Sequence, residues 1–222
     1  MSDHLPRCVI LGGGGHARVL IDALQQTADV IVHAILVPDE SLWGGHIFGV
    51  PVLGDDSLLP GLREQGVDSF VVGLGSVGDH RPRQRLFQYG LALGFQVLTV
   101  RHPTAILSPH AQWGRGCQFL PGCIVNAGAV LGENVIINTG AIVEHDCRIG
   151  DHAHLATGAR LSGTVQVGKG AHIGSGATVR QGITIGEHAI VGAGAVVVAN
   201  VPPGVTVVGV PARPIQNTEP GK

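Results

Sequence analysis

The chain is poor in charge and in aromatic rings. Charged residues make up 14% of its 222 residues and aromatic residues 4%, and the formal net charge is −2. A chain without a basic excess lacks the electrostatic attraction that proteins use to bind nucleic acid or an acidic membrane surface. We therefore expect no nucleic-acid partner.

Features of a secreted, membrane or metal-binding chain are also missing. No apolar run approaches the ~20 residues of a spanning helix, and the first residues, MSDHLPR, lack the charged-then-apolar order of a secretory signal. The four cysteines form no C-x-x-C pair, so the spacing typical of zinc or redox sites is absent. We expect a cytoplasmic protein with no membrane insertion.

Glycine, in contrast, is abundant, and the second half of the chain repeats with a period of six. From Leu107 to Val197 every sixth residue is apolar, and the residues four places later, from Cys117 to Ala195, are small or apolar. This hexapeptide repeat predicts three short strands in each 18-residue coil of a parallel β-helix, with about five coils between 107 and 199. Three cysteines occupy the small inward position and are interpreted as core residues: Cys117, Cys123 and Cys147.

The first hundred residues have a different pattern. RCVILGGGGHARVLIDALQQ (7–26) predicts a strand, a glycine turn and a helix; further strands are predicted at 29–37, 68–76 and 94–103, and a helix at 81–94. Strands that alternate with helices indicate a small parallel α/β sheet of Rossmann-like type. We therefore divide the chain into an α/β domain (1–103), an all-β helix domain (104–200) and a C-terminal loop and tail (201–222).

The glycine turn GGGGHA (12–17) satisfies G-x-G-x-x-[GA], in which backbone N–H groups and a helix N-terminus favour a phosphate. A tight turn with no ligand is the alternative. A dinucleotide site would also place an acid at the end of the second strand, where this chain has Val37, with Asp39 two residues later. We therefore favour a nucleotide diphosphate over NAD. The end of the third strand would bring three further candidates to the same sheet edge: Gly75, Ser76 and Arg81.

Several motifs, in this order, resemble one family. They are ILGGGGHARV, VGDHRPR, RHPTAILSP, NTGAIVEHDCRIGDHAHLATGARLSG and VGVPAR, and the resemblance spans about residues 7–215. The family comprises bacterial N-acetyltransferases of UDP-, dTDP- or GDP-linked 4-amino-4,6-dideoxysugars, together with sialic acid O-acetyltransferase-like proteins. The resemblance implies a left-handed β-helix, a homotrimer, acetyl-CoA bound between adjacent β-helices without a metal, and a nucleotide-linked amino sugar as the acceptor in surface polysaccharide biosynthesis.

The resemblance also implies roles for individual residues. The catalytic histidine of the family corresponds to His145 and its supporting acid to Asp146. Residues that contact acetyl-CoA correspond to His154, Gly163, Ser175 and Ala193. The nucleotide turn corresponds to Gly14, Gly15 and His16, with Asp39 as a substitute for an acidic pair that family members carry after the second strand.

The repeat arithmetic relates these positions to one another. His145 and Gly163 are 18 residues apart and fall in one column, and Ser175 and Ala193 fall in a neighbouring column. Stacked positions lie about 4.8 Å apart. His154 is nine residues from His145, or one and a half sides of a coil, so the two histidines would meet only across a subunit boundary. We infer that the mechanism needs a trimer.

Histidine suits the removal of a proton from an amine that attacks a thioester, and a neighbouring carboxylate can hold its tautomer. We therefore expect direct transfer with no acyl-enzyme intermediate, and interpret His152, His172 and His188 as surface or inter-coil residues.

The same sequence features bear on three alternatives to N-acetyl transfer. O-acetylation of a sugar hydroxyl would use the same base. A non-catalytic nucleotide-binding scaffold would keep the repeat without the His–Asp pair. A zinc enzyme of the carbonic anhydrase type, built on the same repeat, carries H-x-x-x-x-H, a spacing that none of the twelve histidines shows.

Overall fold

The computed structural model of the chain describes residues 5–215. The chain forms two compact units, Met1–Ser76 with Arg81–Pro103 and Val77–His80 with Thr104–Lys222. Within the described range, no helix combines the length and the apolar character needed to cross a bilayer.

The first unit is an α/β fold with a parallel sheet, as the alternating pattern predicts. Its elements are β1 (Arg7–Leu11), α1 (Gly15–Thr27), β2 (Ile31–Leu36), β3 (His46–Ile47), β4 (Val50–Gly54), α2 (Leu59–Glu64), β5 (Ser69–Val72), α3 (Arg81–Ala92), β6 (Gln96–Val97) and β7 (Val100–Arg101). The sheet has the order β3-β4-β2-β1-β5-β6, and all of its pairs are parallel except the β3–β4 hairpin.

The second unit is a left-handed β-helix built from two-residue strands, which confirms the hexapeptide interpretation. Its strands are β8 (Ile106–Leu107), β9 (Gln112–Trp113), β10 (Gln118–Phe119), β11 (Ile124–Val125), β12 (Val130–Leu131), β13 (Ile136–Ile137), β14 (Ile142–Val143), β15 (Arg148–Ile149), β16 (His154–Leu155), β17 (Arg160–Leu161), β18 (Gln166–Val167), β19 (His172–Ile173), β20 (Thr178–Val179), β21 (Thr184–Ile185), β22 (Ile190–Val191), β23 (Val196–Val197), β24 (Thr206–Val208) and β25 (Arg213–Pro214).

Each strand of the β-helix pairs in parallel with the strand 18 residues further along, as in the pairing of Ile124 with Ile142 and of Ile142 with Arg160. This register produces three faces. We call them the first face (β8-β11-β14-β17-β20-β23), the second face (β9-β12-β15-β18-β21) and the third face (β10-β13-β16-β19-β22, extended by β24 and β25).

The corners between faces share one backbone conformation. From 116 to 194, every sixth residue has a positive φ, between 56° at Asn134 and 75° at Gly128. Glycine adopts this conformation without strain, whereas a residue with a side chain pays about 1–2 kcal/mol. The corners that carry a side chain nevertheless are Asn134, Asp146, His152, Thr164 and His188.

The interior of the β-helix is filled by the two periodic series. Cys117, Cys123 and Cys147 are fully buried in this core, as the repeat predicts. Trp113 in the first coil is 39% exposed, because a terminal coil has a neighbouring coil on one side only, and it packs edge-on against Phe119.

We expect the thiols to be inert in the folded chain. All four cysteines are buried, and burial raises the pKa of Cys8 and brings the pKa of the Cys147 thiol to about 11. The reactive thiolate of Cys147 is therefore scarce near neutral pH. Alkylation with iodoacetamide, followed by mass spectrometry, should label the folded chain slowly and all four sites after denaturation. Rapid labelling of any cysteine in the folded chain would contradict this packing.

Candidate active site

His145 and Asp146 form a hydrogen-bonded pair at the corner that follows β14. His145 Nδ1 lies 2.9 Å from Asp146 Oδ2, and the two side chains are 53% and 64% exposed. A carboxylate only accepts hydrogen bonds at neutral pH, so in the uncharged imidazole Nδ1 carries the ring proton and Nε2 keeps its lone pair. The pair presents a basic nitrogen on an exposed corner of the β-helix.

Two glycines make room for this pair. A Cβ atom at Gly163, one coil further along, would lie 2.5 Å from His145 Nε2. A Cβ atom at Gly128, one coil earlier, would collide with Asp146 Oδ1. Gly163 therefore has a role that the resemblance does not assign to it: its missing side chain leaves the space that the imidazole occupies. Gly128 was not identified from the sequence, although its position 18 residues before Asp146 was a usable signal.

The backbone at this corner is held in register by its neighbours. Asp146 has φ of 58°, and its N–H donates to the Ala127 carbonyl in the preceding coil at 3.1 Å. The His145 carbonyl accepts from Thr164 N–H in the following coil at 2.9 Å. Thr164 has φ of 60°, which is an outlier for a β-branched residue.

His154 lies on β16, on the third face, and is buried, whereas His145 follows β14 of the first face. Its Nε2 lies 3.1 Å from Asn138 Nδ2. Asn138 Oδ1 accepts from Thr139 N–H at 2.8 Å, which turns the amide nitrogen towards His154. Nε2 of His154 is therefore an acceptor, and the ring's own N–H donor is Nδ1.

His172 stacks edge-on against His154, with ring centroids 5.0 Å apart, and is itself buried. His152 is also buried and bonds Asn134 in the preceding coil at 3.0 Å. The inter-coil interpretation thus fits His152, and the surface interpretation fits only His188. Asn138 was missed in the sequence analysis, because no spacing rule links it to His154.

Ser175 and Ala193 are neighbours, as their common column predicts. They are exposed residues on the wall of a cavity of about 270 Å³ that also contacts Val77, Gly78 and His172. His145, Asp146 and Gly163 do not line this cavity. Within the second unit, the candidates therefore form two groups: His145, Asp146 and Gly163 at one corner, and Ser175 and Ala193 beside the His154–His172 pair on another part of the surface.

In the glycine turn of the first unit, the first two glycines are required by the fold, and the next two border open space. Gly12 has φ of 112°, and a Cβ atom at Gly13 would lie 2.6 Å from Val37 Cγ1, so the fold itself requires both glycines. A Cβ atom at Gly14 or Gly15 would meet nothing within 4 Å. Gly14 caps α1 without a side-chain hydrogen bond, so this end of the helix presents bare backbone. Such a surface lets an anion approach closely.

A cavity of about 260 Å³ opens at the carboxyl ends of the parallel strands in this unit. Its lining includes Leu11, Gly12, Leu36, Val37, Pro38, Asp56, Leu74, Arg85 and Leu86. Parallel α/β sheets bind ligands at this edge. The sequence identified the edge but not Asp56 or Arg85, because residues so far apart in the chain are brought together only by the sheet.

None of the predicted nucleotide-binding residues lines this cavity. Asp39 begins a 3₁₀ turn, where its carboxylate accepts from Ser41 N–H at 3.0 Å and from the Ser41 hydroxyl at 2.6 Å. These bonds lower the pKa of Asp39. Ser76 is buried, Gly75 is exposed, and Arg81 is the first residue of α3. His16 is half-buried in the first turn of α1.

Two family models match the chain. Residues 7–89 match the PglD N-terminal domain, and residues 128–163 and 164–199 match the bacterial transferase hexapeptide of six repeats. A comparison with curated protein sequences finds no match.

Solved structures match over nearly the whole chain. Perosamine N-acetyltransferase from Caulobacter crescentus, in complex with CoA and GDP-perosamine, is 41% identical with a TM-score of 0.89, covering 98% of this chain and 100% of its own. The acetyltransferase domain of PglB from Neisseria gonorrhoeae FA1090, in complex with acetyl coenzyme A, is 36% identical with a TM-score of 0.86, covering 96% and 100%. WeeI from Acinetobacter baumannii AYE is 28% identical with a TM-score of 0.84, covering 94% and 99%.

Replacing Gly163 with Ala should displace the His145 ring, because the new Cβ would overlap Nε2. In the unmodified chain, imidazole ¹⁵N shifts of His145 should report one neutral tautomer with the proton on Nδ1. The Gly163→Ala variant should show a mixture of tautomers, while Gln181→Ala, one coil further along the same column, should leave the shifts unchanged. An unaltered His145 signal in a folded Gly163→Ala variant would show that the ring does not depend on this space.

Proposed function

The chain belongs to the PglD-like nucleotide-sugar N-acetyltransferases with hexapeptide repeats, and we propose that it transfers the acetyl group of acetyl-CoA to the 4-amino group of a nucleotide-linked 4-amino-4,6-dideoxysugar. The relative from C. crescentus, which is a perosamine N-acetyltransferase in complex with CoA and GDP-perosamine, supports this acceptor class. The PglB domain, in complex with acetyl coenzyme A, supports the donor.

The observation that carries this proposal is the His145–Asp146 pair, with Nδ1 bonded to the carboxylate at 2.9 Å and Nε2 beside a bare glycine. The sugar amine attacks the thioester carbonyl with its lone pair, and its proton passes to His145 Nε2. Asp146 holds the tautomer and stabilises the imidazolium that forms. The C–S bond then breaks, CoA leaves as the thiolate or thiol, and the amide is released without an acyl-enzyme.

His154 contributes to binding the acetyl group of acetyl-CoA in this proposal. Asn138 fixes Nε2 of His154 as an acceptor, and in this proposal His154 makes a polar contact with the carbonyl oxygen of the acetyl group. Ser175, Ala193 and the backbone of Gly163 line the path of the coenzyme. Gly14, Gly15 and His16 hold the nucleotide diphosphate at the start of α1. Asp39, Gly75, Ser76 and Arg81 do not line the strand-end cavity and remain predicted substrate-binding residues.

A homotrimer completes the site in this proposal. The outward side chains of the first face begin with three isoleucines, Ile106, Ile124 and Ile142, and Ile106 is 62% exposed. An apolar stripe of this kind is typical of a protein interface. A three-fold rotation axis would place this stripe against a different face of the next copy. The His145 group of one copy then meets the His154 group of its neighbour. A cytoplasmic location, where acetyl-CoA and nucleotide sugars are made, is part of the same proposal.

The reaction is tested by thiol release from acetyl-CoA with GDP-, UDP- and dTDP-linked 4-amino-4,6-dideoxysugars, beside their 4-hydroxy counterparts. We expect turnover with an amino sugar only. His145→Ala should lower kcat by about 10²- to 10⁴-fold, as for loss of a general base, and Asp146→Asn should lower it less. His110→Ala, which removes an exposed histidine of the first coil, is the matched control.

Each contrary outcome of this assay has a distinct meaning. Turnover of the 4-hydroxy sugars instead would show that the chain catalyses O-acetylation and not N-acetylation. Near-normal turnover in His145→Ala would remove His145 from the mechanism. Absence of transfer to every acceptor would contradict the proposed function as a whole.

The shared site is tested by mixing inactive subunits. His145→Ala and His154→Ala chains, unfolded and refolded together in equal amounts, should regain about one quarter of the wild-type activity, since each site needs an intact His145 from one copy and an intact His154 from the next. Sedimentation should report a trimer throughout. Mixed trimers with no more activity than their parents would show that both histidines act within one subunit or that one is dispensable.

A further inference from the structure

A nucleotide site of Rossmann type places an acid at the end of the second strand, and this chain does not. Val37 occupies that position, is buried, and packs against Gly13. The carboxylate of Asp39 is engaged by Ser41. The cavity at the strand ends must therefore obtain any anionic contact to a nucleotide from another element.

Asp56 supplies that carboxylate from the neighbouring strand. β4 runs parallel to β2, with Leu36 opposite Gly54, so Asp56 follows the pairing point by two residues. Its side chain is exposed and lines the cavity together with Val37. Its neighbour Asp55 does not share this role, because the Asp55 carboxylate caps the turn through Ser57.

Arg85, an exposed residue of α3, lines the same cavity. An adjoining open depression of about 310 Å³ also has Asp56 and Arg85 in its lining, so both charges lie at the rim between the two spaces. No ion pair within 4.0 Å joins them, and no side-chain hydrogen bond engages either group among residues 5–215. Two opposite charges thus face one cavity without neutralising each other.

The remaining walls are apolar and include Leu11, Leu36, Leu74 and Leu86. A cavity with such walls and two polar groups suits a planar ring that carries hydrogen-bonding edges. It does not suit a diphosphate, which Gly14 and Gly15 serve better.

We propose that this cavity reads the base of the nucleotide sugar, and that Asp56 and Arg85 select guanine. Guanine presents N1–H and the N2 amino group as two adjacent donors, which a carboxylate accepts together. Its O6 and N7 are two adjacent acceptors, which a guanidinium contacts bidentately. Uracil and thymine have a single N–H between two carbonyl oxygens, one of which would face the carboxylate, and adenine has an amino group where the arginine needs an acceptor.

The inference rests on the proposed function for the identity of the ligand as a nucleotide sugar, but its test does not need acetyl transfer. Calorimetric binding of GDP, IDP, XDP, UDP and dTDP to the full chain separates the two contacts. Wild type should bind GDP more tightly than IDP, which lacks the N2 amino group, by roughly 10- to 100-fold, as for a hydrogen bond to a charged group. UDP and dTDP should bind more weakly still.

Each variant should change a different ratio. Asp56→Asn should bring the affinities for GDP and IDP close together. It should also raise the affinity for XDP, because the asparagine amide donates to the C2 carbonyl of xanthine. Arg85→Met should weaken the binding of GDP and of IDP by the same factor, since both bases carry O6 and N7. Glu64→Gln, an exposed acid on α2 outside the cavity, should bind as wild type.

The inference is overturned if wild type binds UDP or dTDP more tightly than GDP, or if Asp56→Asn keeps the full GDP-over-IDP preference while remaining folded. Either result can coexist with efficient acetyl transfer to another nucleotide sugar, so the proposed function would survive it. Conversely, a guanine preference in a chain that transfers no acetyl group would support the base cavity and contradict only the reaction.

Discussion

The 18-residue register of the β-helix is the constraint on which the candidate active site depends. Parallel pairing between coils places Gly128, Asp146 and the backbone of Thr164 at equivalent corners one above another. The carboxylate lies over Gly128 and the imidazole against Gly163 because the register leaves no side chain at either place. A shift of one residue would bury these polar groups in the core or fill their space. The chemistry is thus a property of the stacked corners and not of the His–Asp sequence alone.

In the proposed function, the two units of the chain have different roles. The β-helix supplies the corner that carries the catalytic base His145 and a separate surface that carries Ser175 and Ala193. The α/β unit supplies bare backbone at Gly14 and a strand-end cavity. In the proposed base site, the carboxylate comes from Asp56 after the end of β4 and not from the end of β2. Selectivity for the base can therefore vary through Asp56 and Arg85 without disturbing the glycine turn.

The period of six was sufficient to predict the β-helix, its register, the inward cysteines and the columns that contain His145 with Gly163 and Ser175 with Ala193. It could not predict which way a corner side chain points, so the dependence of Asp146 on Gly128 was missed. In the first unit, β3 has only two residues, and β4 (VPVLG) contains a proline and ends in a glycine, so neither gives an alternating pattern. Asp56 and Arg85 consequently had no sequence signal, since their proximity depends on the order of strands in the sheet.

In the proposed mechanism, His145 Nε2 is the proton acceptor at a site shared between copies of the chain. A crystal structure with CoA and a nucleotide-linked 4-amino sugar would show this arrangement. We expect the sugar 4-amino nitrogen within about 2.6–3.2 Å of His145 Nε2, with the coenzyme arm alongside Ser175 and Ala193 and with His154 contributed by a neighbouring copy. An amino nitrogen held by another group, with Nε2 facing solvent, would contradict it.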